Sequence, residues 1–172
     1  MSATVSLVMT AWNAERFLGE ALASVVAQTC LPDEVVVVDD GSTDGTAAVA
    51  GSFGARLAGL QVLQRPHEGI GAARNAGIAA STGGLVCFLD ADDLWLPAKQ
   101  ERQLAAFAER PELDAAFCLV DEFLDESAGD GGPAVRAPKT AVSGALVSGA
   151  MLRRELLDRA GPFGTTQLGE WV

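Results

Sequence analysis

The sequence is poor in cysteine and histidine, which limits the stabilising and catalytic chemistry open to it. Its three cysteines, Cys30, Cys87 and Cys118, are odd in number and widely spaced, so a disulfide framework is not expected. Cys87 and Cys118 lie inside apolar runs and are most simply buried thiols, which fits a reducing cytoplasm. The single histidine, His67, lies in a polar loop and is assigned no catalytic role.

Basic residues and long apolar runs are also scarce. Twelve Lys and Arg face 23 Asp and Glu, and a net charge of −11 argues against nucleic acid as a partner. No apolar run approaches the ~20 residues of a membrane span, and the N-terminus lacks the basic and apolar regions of a signal peptide. The 172 residues, 49% of them hydrophobic, predict one soluble domain with one sizeable core.

Three apolar runs in the first half of the chain end in polar side chains. Each has the length of a strand buried on both faces, and helical patterns over 17–26, 44–53 and 71–81 separate or follow them. This alternation predicts an α/β fold with a mostly parallel sheet, in which ligands bind beyond the carboxyl ends of the strands. We therefore expect the polar clusters to converge on one site. The runs and clusters are 5–9 with Thr10 and Asn13, 35–38 with Asp39 and Asp40, and 85–89 with Asp90, Asp92 and Asp93.

The remaining patterns are weaker. They predict a strand over 61–63, a helix over 97–109, a strand over 115–120, a mobile loop over 125–138 and a short helix over 152–160.

The cluster of Asp90, Asp92 and Asp93 is the most informative feature of the chain. Carboxylates this close repel one another, and some would take up protons unless a cation neutralised them. An all-oxygen cluster suits magnesium or manganese rather than zinc. The alternative is a solvated turn with a helix N-cap.

A glycine motif at 69–74 resembles the start of a dinucleotide fingerprint. It follows a strand, opens a helix and precedes Asp90 by the spacing of a ribose-binding acid. Arg74 replaces the third glycine, however, and the motif lies in the third βα unit. A nicotinamide or flavin enzyme is therefore disfavoured.

Taken together, these motifs resemble those of the family 2 glycosyltransferases, which have the GT-A fold. The resemblance covers about the first hundred residues, through 5–13, 35–45, 71–83 and 88–97, and continues weakly to 161–163. It implies a Rossmann-like α/β domain over 1–172, with a mostly parallel central sheet flanked by helices. Residues 1–97 would form the nucleotide-sugar-binding half and 98–172 a partial acceptor-side half, expected to lack C-terminal elements.

The resemblance also implies an activity. The enzyme would take a sugar from a nucleoside diphosphate donor, UDP-linked or similar, and transfer it with inversion to a hydroxyl. The acceptor, a saccharide, lipid or protein, stays open. Mn²⁺ or Mg²⁺ would assist. The implied setting is cell envelope or polysaccharide biosynthesis in the cytoplasm. Peripheral attachment at the inner membrane face stays open.

Site residues follow from the matched motifs. Thr10 and its neighbours Ala11 and Trp12 would contact the nucleotide, and Asp40 would hydrogen-bond the base. Arg74 would lie beside the nucleotide. For two of these residues the sequence leaves an alternative open: Trp12 as packing and Arg74 as a surface residue.

The acidic motifs receive separate roles. Asp92 would be the direct metal ligand, and Asp90 would face the ribose or the waters of the metal. Asp39 is better explained as a turn former, and Asp44, with Thr43, as a helix cap.

The general base is where the chain departs from its family. Members carry a Glu-Asp pair after the acceptor-side loop, and here Glu170 is followed by Trp171. An indole cannot accept the proton, so Glu170 is our prediction for the base.

Two other classes stay open. A sugar nucleotidyltransferase would need a glycine-rich and basic loop near the N-terminus, whereas residues 5–16 contain only one basic residue, Arg16. A non-catalytic or incomplete nucleotide-sugar-binding domain is the second alternative.

Overall fold

The architecture is a twisted sheet covered by helices on both faces. The computed structural model describes residues 4–120, 142–143 and 146–164. Its strands are β1 (Val5–Ala11), β2 (Glu34–Asp39), β3 (Leu60–Gln64), β4 (Leu85–Asp90), β5 (Ala115–Phe117), β6 (Leu119–Val120), β7 (Val142–Ser143) and β8 (Ala150–Arg153). Its helices are α1 (Leu18–Val26), α2 (Thr46–Gly51), α3 (Ile70–Ala80), α4 (Lys99–Glu109) and α5 (Arg154–Ala160), with a 3₁₀ turn at Val147–Gly149.

The main sheet has six strands in the order β3-β2-β1-β4-β8-β5. The first four in this order run parallel, and β8 is antiparallel to both β4 and β5. A separate two-stranded ribbon joins β6 to β7. The mostly parallel sheet predicted from the alternation of strands and helices is therefore confirmed.

Alternate residues of the central strands pack against different helices. On one face Leu7, Met9 and Val37 join a core with α1, α2 and Phe107 of α4. On the other face Val8, Phe88 and Leu152 pack with Leu157 of α5, and Val36 and Val38 pack against Ala73 of α3. A fully buried valine or leucine of this kind contributes about 1.5–3 kcal/mol. Burial on both faces explains why the central runs are continuously apolar.

Close packing of α3 on the sheet depends on Gly77. A Cβ atom added there would lie 2.4 Å from Cγ1 of Val8, and this distance is too short for any side chain. Because α3 approaches the sheet so closely, the residues at its first turn lie next to the ends of β1, β2 and β4.

Two predictions about the second half of the chain need correction. The predicted strand over 115–120 is interrupted at Cys118, whose N–H donates to the carbonyl of Gly149 at 3.1 Å. The predicted helix over 152–160 begins only at Arg154, because the apolar residues before it extend as β8 beside β4. The predicted loop over 125–138 lies outside the described residues.

Candidate functional site

The polar clusters predicted to converge do lie at one edge of the sheet. Thr10 is the register partner of Asp90 between β1 and β4, and Ala11 is the partner of Asp39 between β1 and β2. The N–H of Asp40 continues this pattern by donating to the carbonyl of Ala11 at 2.9 Å. Parallel pairing therefore brings three separate loops to the same carboxyl-end edge.

A cleft of about 440 Å³ opens at this edge. Its volume is within the range of small-molecule sites. It combines two carboxylates with an exposed aromatic ring, which suits a ligand that has charged groups and a flat ring. The lining residues are Thr10, Trp12, Asn13, Ala14, Phe17, Ile70, Asp90, Ala91 and Asp92.

The three carboxylates of the acidic turn at the end of β4 differ in their exposure to solvent. Asp90 keeps 31% of its side chain exposed, whereas Asp92 and Asp93 are exposed. The turn is held by the N–H of Asp93, which donates to the carbonyl of Asp90 at 3.2 Å, and by the N–H of Asp90, which donates to Oγ of Ser148 at 3.2 Å. Asp90 and Asp92 line the cleft.

Arg74 is buried beside this turn. Its side chain is only 2% exposed, and Nη2 donates to Oδ1 of Asp90 at 2.9 Å. The guanidinium carbon also lies 5.7 Å from the ring centroid of Phe163. The alternative that Arg74 is a surface residue of α3 is therefore wrong. The ion pair fixes one carboxylate oxygen of Asp90 at the edge of the cleft.

Asp40 is buried and holds the loop between β3 and α3. Its Oδ1 accepts the N–H of Glu68 and its Oδ2 accepts the N–H of Gly69, both at 2.9 Å. Oδ2 also lies 2.8 Å from Nδ1 of His67. Gly41 permits this approach, because a Cβ there would lie 2.7 Å from the backbone N of His67 and the residue has φ of +78°.

Trp12 and His67 form a stack at the mouth of the cleft. Their ring centroids are 4.5 Å apart and their planes differ by 20°. Trp12 remains 55% exposed, so it is not a core residue, although part of its indole packs against His67. The stack of His67 on Trp12 was not predicted from the sequence. The available signal was its position: it follows β3, the neighbour of the strand that ends in Asp39 and Asp40.

The two aspartates interpreted as local structure have those roles. Oδ1 of Asp39 accepts the N–H of Ser42 at 3.0 Å, which closes the turn after β2. Oδ1 of Asp44 accepts the N–H of Thr46 at 3.0 Å in the first turn of α2.

The donor set fits a hard divalent cation. In the described ranges, no three His, Cys, Asp or Glu side chains converge on one point. Mg²⁺ and Mn²⁺ do not need such a cage, because one or two carboxylates together with substrate phosphates and waters suffice. Asp90 and Asp92, on a cleft large enough for phosphates, would supply the protein ligands.

Three further predictions concern the cysteines, membrane-spanning helices and the general base. All three cysteines are free. Cys87 is buried as predicted, whereas Cys30 and Cys118 are partly exposed, so the prediction of a buried thiol at Cys118 is wrong. Within the described ranges, none of the helices has the length and apolar character to span a bilayer. Glu170, predicted as the base, lies outside the described residues.

Comparison with curated proteins identifies relatives over most of the chain. A glycosyltransferase of Nostoc sp. (strain PCC 7120), alr2836, is 31% identical over 98% of this chain and 56% of its own length. YibD of Escherichia coli, also named a glycosyltransferase, is 29% identical over 90% of this chain and 44% of its own length. The chain thus spans about half the length of these curated relatives.

Solved structures of glycosyltransferases share the fold of this chain. S. aureus TarS 1-349 in complex with UDP-GlcNAc has a TM-score of 0.68 at 27% identity, over 94% of this chain and 48% of that one. Mannosyltransferase PcManGT from Pyrobaculum calidifontis, in complex with GDP-Man and Mn²⁺, has a TM-score of 0.70 at 24% identity, over 99% of this chain and 50% of that one. These likenesses confirm the predicted GT-A fold. The family described as glycosyl transferase family 2 matches residues 6–159, and the chain belongs to that family.

Proposed function

We propose that this chain carries the donor site of an inverting glycosyltransferase, which moves a sugar from a nucleoside diphosphate sugar to an acceptor hydroxyl with the aid of Mn²⁺ or Mg²⁺. The observation that carries the proposal is the cleft at the strand ends. There Asp90 and Asp92 lie on the same concave surface as the exposed indole of Trp12. Carboxylates for a phosphate-bound cation and a ring for a base are what a nucleoside diphosphate requires.

The chain's own residues would divide the work of donor binding. Trp12 would stack on the base, with Thr10 and Ala11 beside the nucleotide at the end of β1. Arg74 would keep the carboxylate of Asp90 in one orientation through their 2.9 Å ion pair. Because that orientation exists before the donor arrives, little reorganisation is needed on binding.

The roles at the phosphates follow from charge. Asp92 would be the direct ligand of the divalent cation, and Asp90 would face the ribose or the waters around the cation. The bound cation would neutralise the charge that grows on the departing nucleoside diphosphate, without any proton transfer. The GT-A fold accommodates Mn²⁺ together with GDP-Man in PcManGT.

Sugar transfer itself requires a base on the acceptor side. The bond from the anomeric carbon to the phosphate oxygen breaks while a bond to the acceptor oxygen forms on the opposite face, which inverts the configuration. The acceptor hydroxyl loses its proton to a general base. Glu170 is our proposal for that base.

UDP-linked sugars are the first donors to test, since TarS, at 27% identity, is solved with UDP-GlcNAc. We place the acceptor, a saccharide, lipid or protein, in cell envelope or polysaccharide biosynthesis at the cytoplasmic side of the membrane. In this proposal, residues 1–97 form the donor half and residues 98–172 form part of the acceptor half.

A thermal-shift panel of UDP-, GDP- and other nucleoside diphosphate sugars, each with Mn²⁺ and with EDTA, tests the proposal. A ligand at 100 times its Kd stabilises the folded chain by about 2.7 kcal/mol, which such a panel detects readily. We expect a shift with at least one donor in Mn²⁺. No shift with any donor would reject the proposal, and donor binding without sugar transfer would favour a nucleotide-sugar-binding domain.

A further inference from the structure

We propose that His67 is a positioning residue for the donor site: Asp40 fixes its imidazole, and the imidazole holds the indole of Trp12 in place as the platform for the base. This inference rests on the proposed function. It gives Asp40 a role that is exerted through His67 and Trp12, in addition to the contact with the base that the family resemblance implies.

The carboxylate of Asp40 is already committed to the neighbouring loop. Asp40 is 4% exposed, and each of its oxygens accepts a backbone N–H, from Glu68 and from Gly69. Buried carboxylates with several donors are rigidly held, because loss of any one hydrogen bond leaves charge unsatisfied. Asp40 therefore ties the loop that carries His67 to the end of β2.

The same carboxylate determines the orientation of the imidazole. Nδ1 of His67 lies 2.8 Å from Oδ2 of Asp40 and 3.0 Å from the Asp40 carbonyl oxygen. Both of these oxygens are acceptors, so Nδ1 carries the hydrogen. With one edge of the ring anchored to a buried residue, the ring plane is fixed relative to β2.

The fixed imidazole covers one part of Trp12. The two rings stack at 4.5 Å with 20° between their planes, and the rest of the indole stays exposed on the wall of the cleft. His67 itself is not among the residues that line the cleft. It supports the platform without contributing to the surface of the cleft.

The backbone next to Trp12 is fixed from the same side. The N–H of Asn13 donates to Oγ of Ser42, and Oδ1 of Asn13 accepts the N–H of Thr43, both at 2.9 Å. The backbone beside Trp12 is therefore anchored by Ser42 and Thr43, which follow β2, and its ring by His67, which Asp40 ties to the end of β2. A platform held in this way loses little conformational entropy when a base stacks on it.

Three variants of the 172-residue chain separate the two contacts of His67. His67→Asn keeps a donor for Asp40 and removes the ring, whereas His67→Phe keeps a ring and removes the donor. Arg65→Ala is the matched control, because it removes an exposed ion pair with Glu68 in the same loop. Each is titrated with UDP and Mn²⁺, and with inorganic pyrophosphate and Mn²⁺. We expect His67→Asn to weaken UDP binding by about 3- to 10-fold, the range for loss of an aromatic pair.

The remaining expectations distinguish positioning from general damage. His67→Phe retains more UDP affinity than His67→Asn, and Arg65→Ala matches the wild type. Pyrophosphate, which has no base, binds the His67→Asn variant as it binds the wild type. In a Trp12→Ala background, His67→Asn has no further effect on UDP binding, because the group through which it acts is gone.

Several results would overturn the inference. If His67→Asn and the wild type bind UDP with equal affinity, His67 does not position the platform for the base. Additive losses in the double variant mean that His67 contacts the nucleotide itself, and a parallel loss of pyrophosphate means that the variant damages the fold. These outcomes leave the proposed function intact. If the wild-type chain binds neither UDP nor any other nucleoside diphosphate with Mn²⁺, the proposed function and this inference fail together.

Discussion

The side chain of Asn75 holds the backbone of Phe163 from both sides. Its Nδ2 donates to the Phe163 carbonyl at 3.0 Å, and its Oδ1 accepts the Phe163 N–H at 2.8 Å. The ring of Phe163 then meets Phe88 edge-on at 5.7 Å and lies 5.7 Å from the guanidinium of Arg74. One amide on α3 thus connects the residues after α5 to Phe88 in the core and to the arginine that orients Asp90.

Asn75→Asp should therefore destabilise the fold. The carboxylate can still accept the Phe163 N–H, but it cannot donate to the Phe163 carbonyl and repels it. We expect the free energy of unfolding in urea to fall by about 1–3 kcal/mol, the range for a lost hydrogen bond with an unsatisfied partner. Asp158→Asn, an exchange at an exposed position of α5, is the control. Equal stability of Asn75→Asp and the wild type would contradict this account.

Asp92→Ala tests the metal assignment. Asp92 lines the cleft and Asp93 does not, so Asp93→Ala is the matched control. We expect Asp92→Ala to weaken UDP binding in Mn²⁺ by at least about 10-fold, since even outer-shell partners of a metal contribute that much. Calorimetry with Mn²⁺ and with EDTA measures the effect. If wild-type affinity is the same in both solutions, a divalent cation is not part of the donor site.

Arg74→Met should lower stability more than a surface substitution does. It removes the buried guanidinium that pairs with Asp90, at a cost of about 2–4 kcal/mol, less than for a fully buried pair because Asp90 keeps 31% exposure. Adding Asp90→Asn should restore part of the loss, since the side chain that paired with Arg74 is then neutral. Chemical denaturation of the single and double variants checks both statements. A double variant that is less stable by the simple sum of the two losses would argue against the pair.

The buried amine of Lys99 should make the free energy of unfolding depend on pH. Burial lowers the pKa of its amine, and Nζ lies 3.6 Å from the ring centroid of Trp95 with no hydrogen-bond partner in the described ranges. The unfolded lysine keeps its proton up to its ordinary pKa of 10.5, whereas the folded amine releases it earlier. The wild type should therefore gain stability relative to Lys99→Met as the pH rises between the lowered pKa and 10.5.

Urea denaturation of both proteins from neutral pH up to pH 9.0, the ordinary thiol pKa, measures this difference. Burial raises the pKa of the Cys87 thiol to about 11, so Cys87 stays protonated in the folded chain over that range. Its own contribution to stability, present below pH 9.0, would be lost only as the pH rises toward 11. A stability difference between wild type and Lys99→Met that does not change with pH would mean that the folded amine is not perturbed.

Glu170→Gln tests the base. Nucleotide binding should be retained while sugar transfer falls by about 10²–10⁴, the usual contribution of a positioned base. Glu155→Gln, at an exposed position of α5, should leave both unchanged. If turnover falls by less than about threefold, a group other than Glu170 accepts the proton of the acceptor hydroxyl.

Much of the fold was predictable because burial on both faces leaves a direct mark on sequence. The four valines of β2 and the run before Asp90 could hardly be anything but central strands, and parallel pairing then required their polar ends to meet. The strand β8 was missed because Ala150, Met151 and Leu152 form a run too short to be told from the start of a helix. What decides its conformation is the free edge of β4, a contact that local sequence does not reveal.

The site was predictable to a smaller extent. Thr10 and Asp90 lie at the carboxyl ends of strands and Asp92 follows one, so their position was implied by topology alone. The burial of Arg74 and the stack of Trp12 on His67 depend on contacts between loops that are far apart in the chain. Nothing in their immediate sequence marks either contact.

The late position of β8 has a consequence for synthesis of the chain. Strand β4 ends at residue 90, but its second neighbour begins only at residue 150. Until those residues leave the ribosome, Val86 and Cys87 belong to an unpaired edge of a highly apolar strand. Such edges readily pair with other chains and aggregate. A fragment that ends before residue 150 should therefore need chaperones or stay insoluble, even though it contains every residue of the acidic motif.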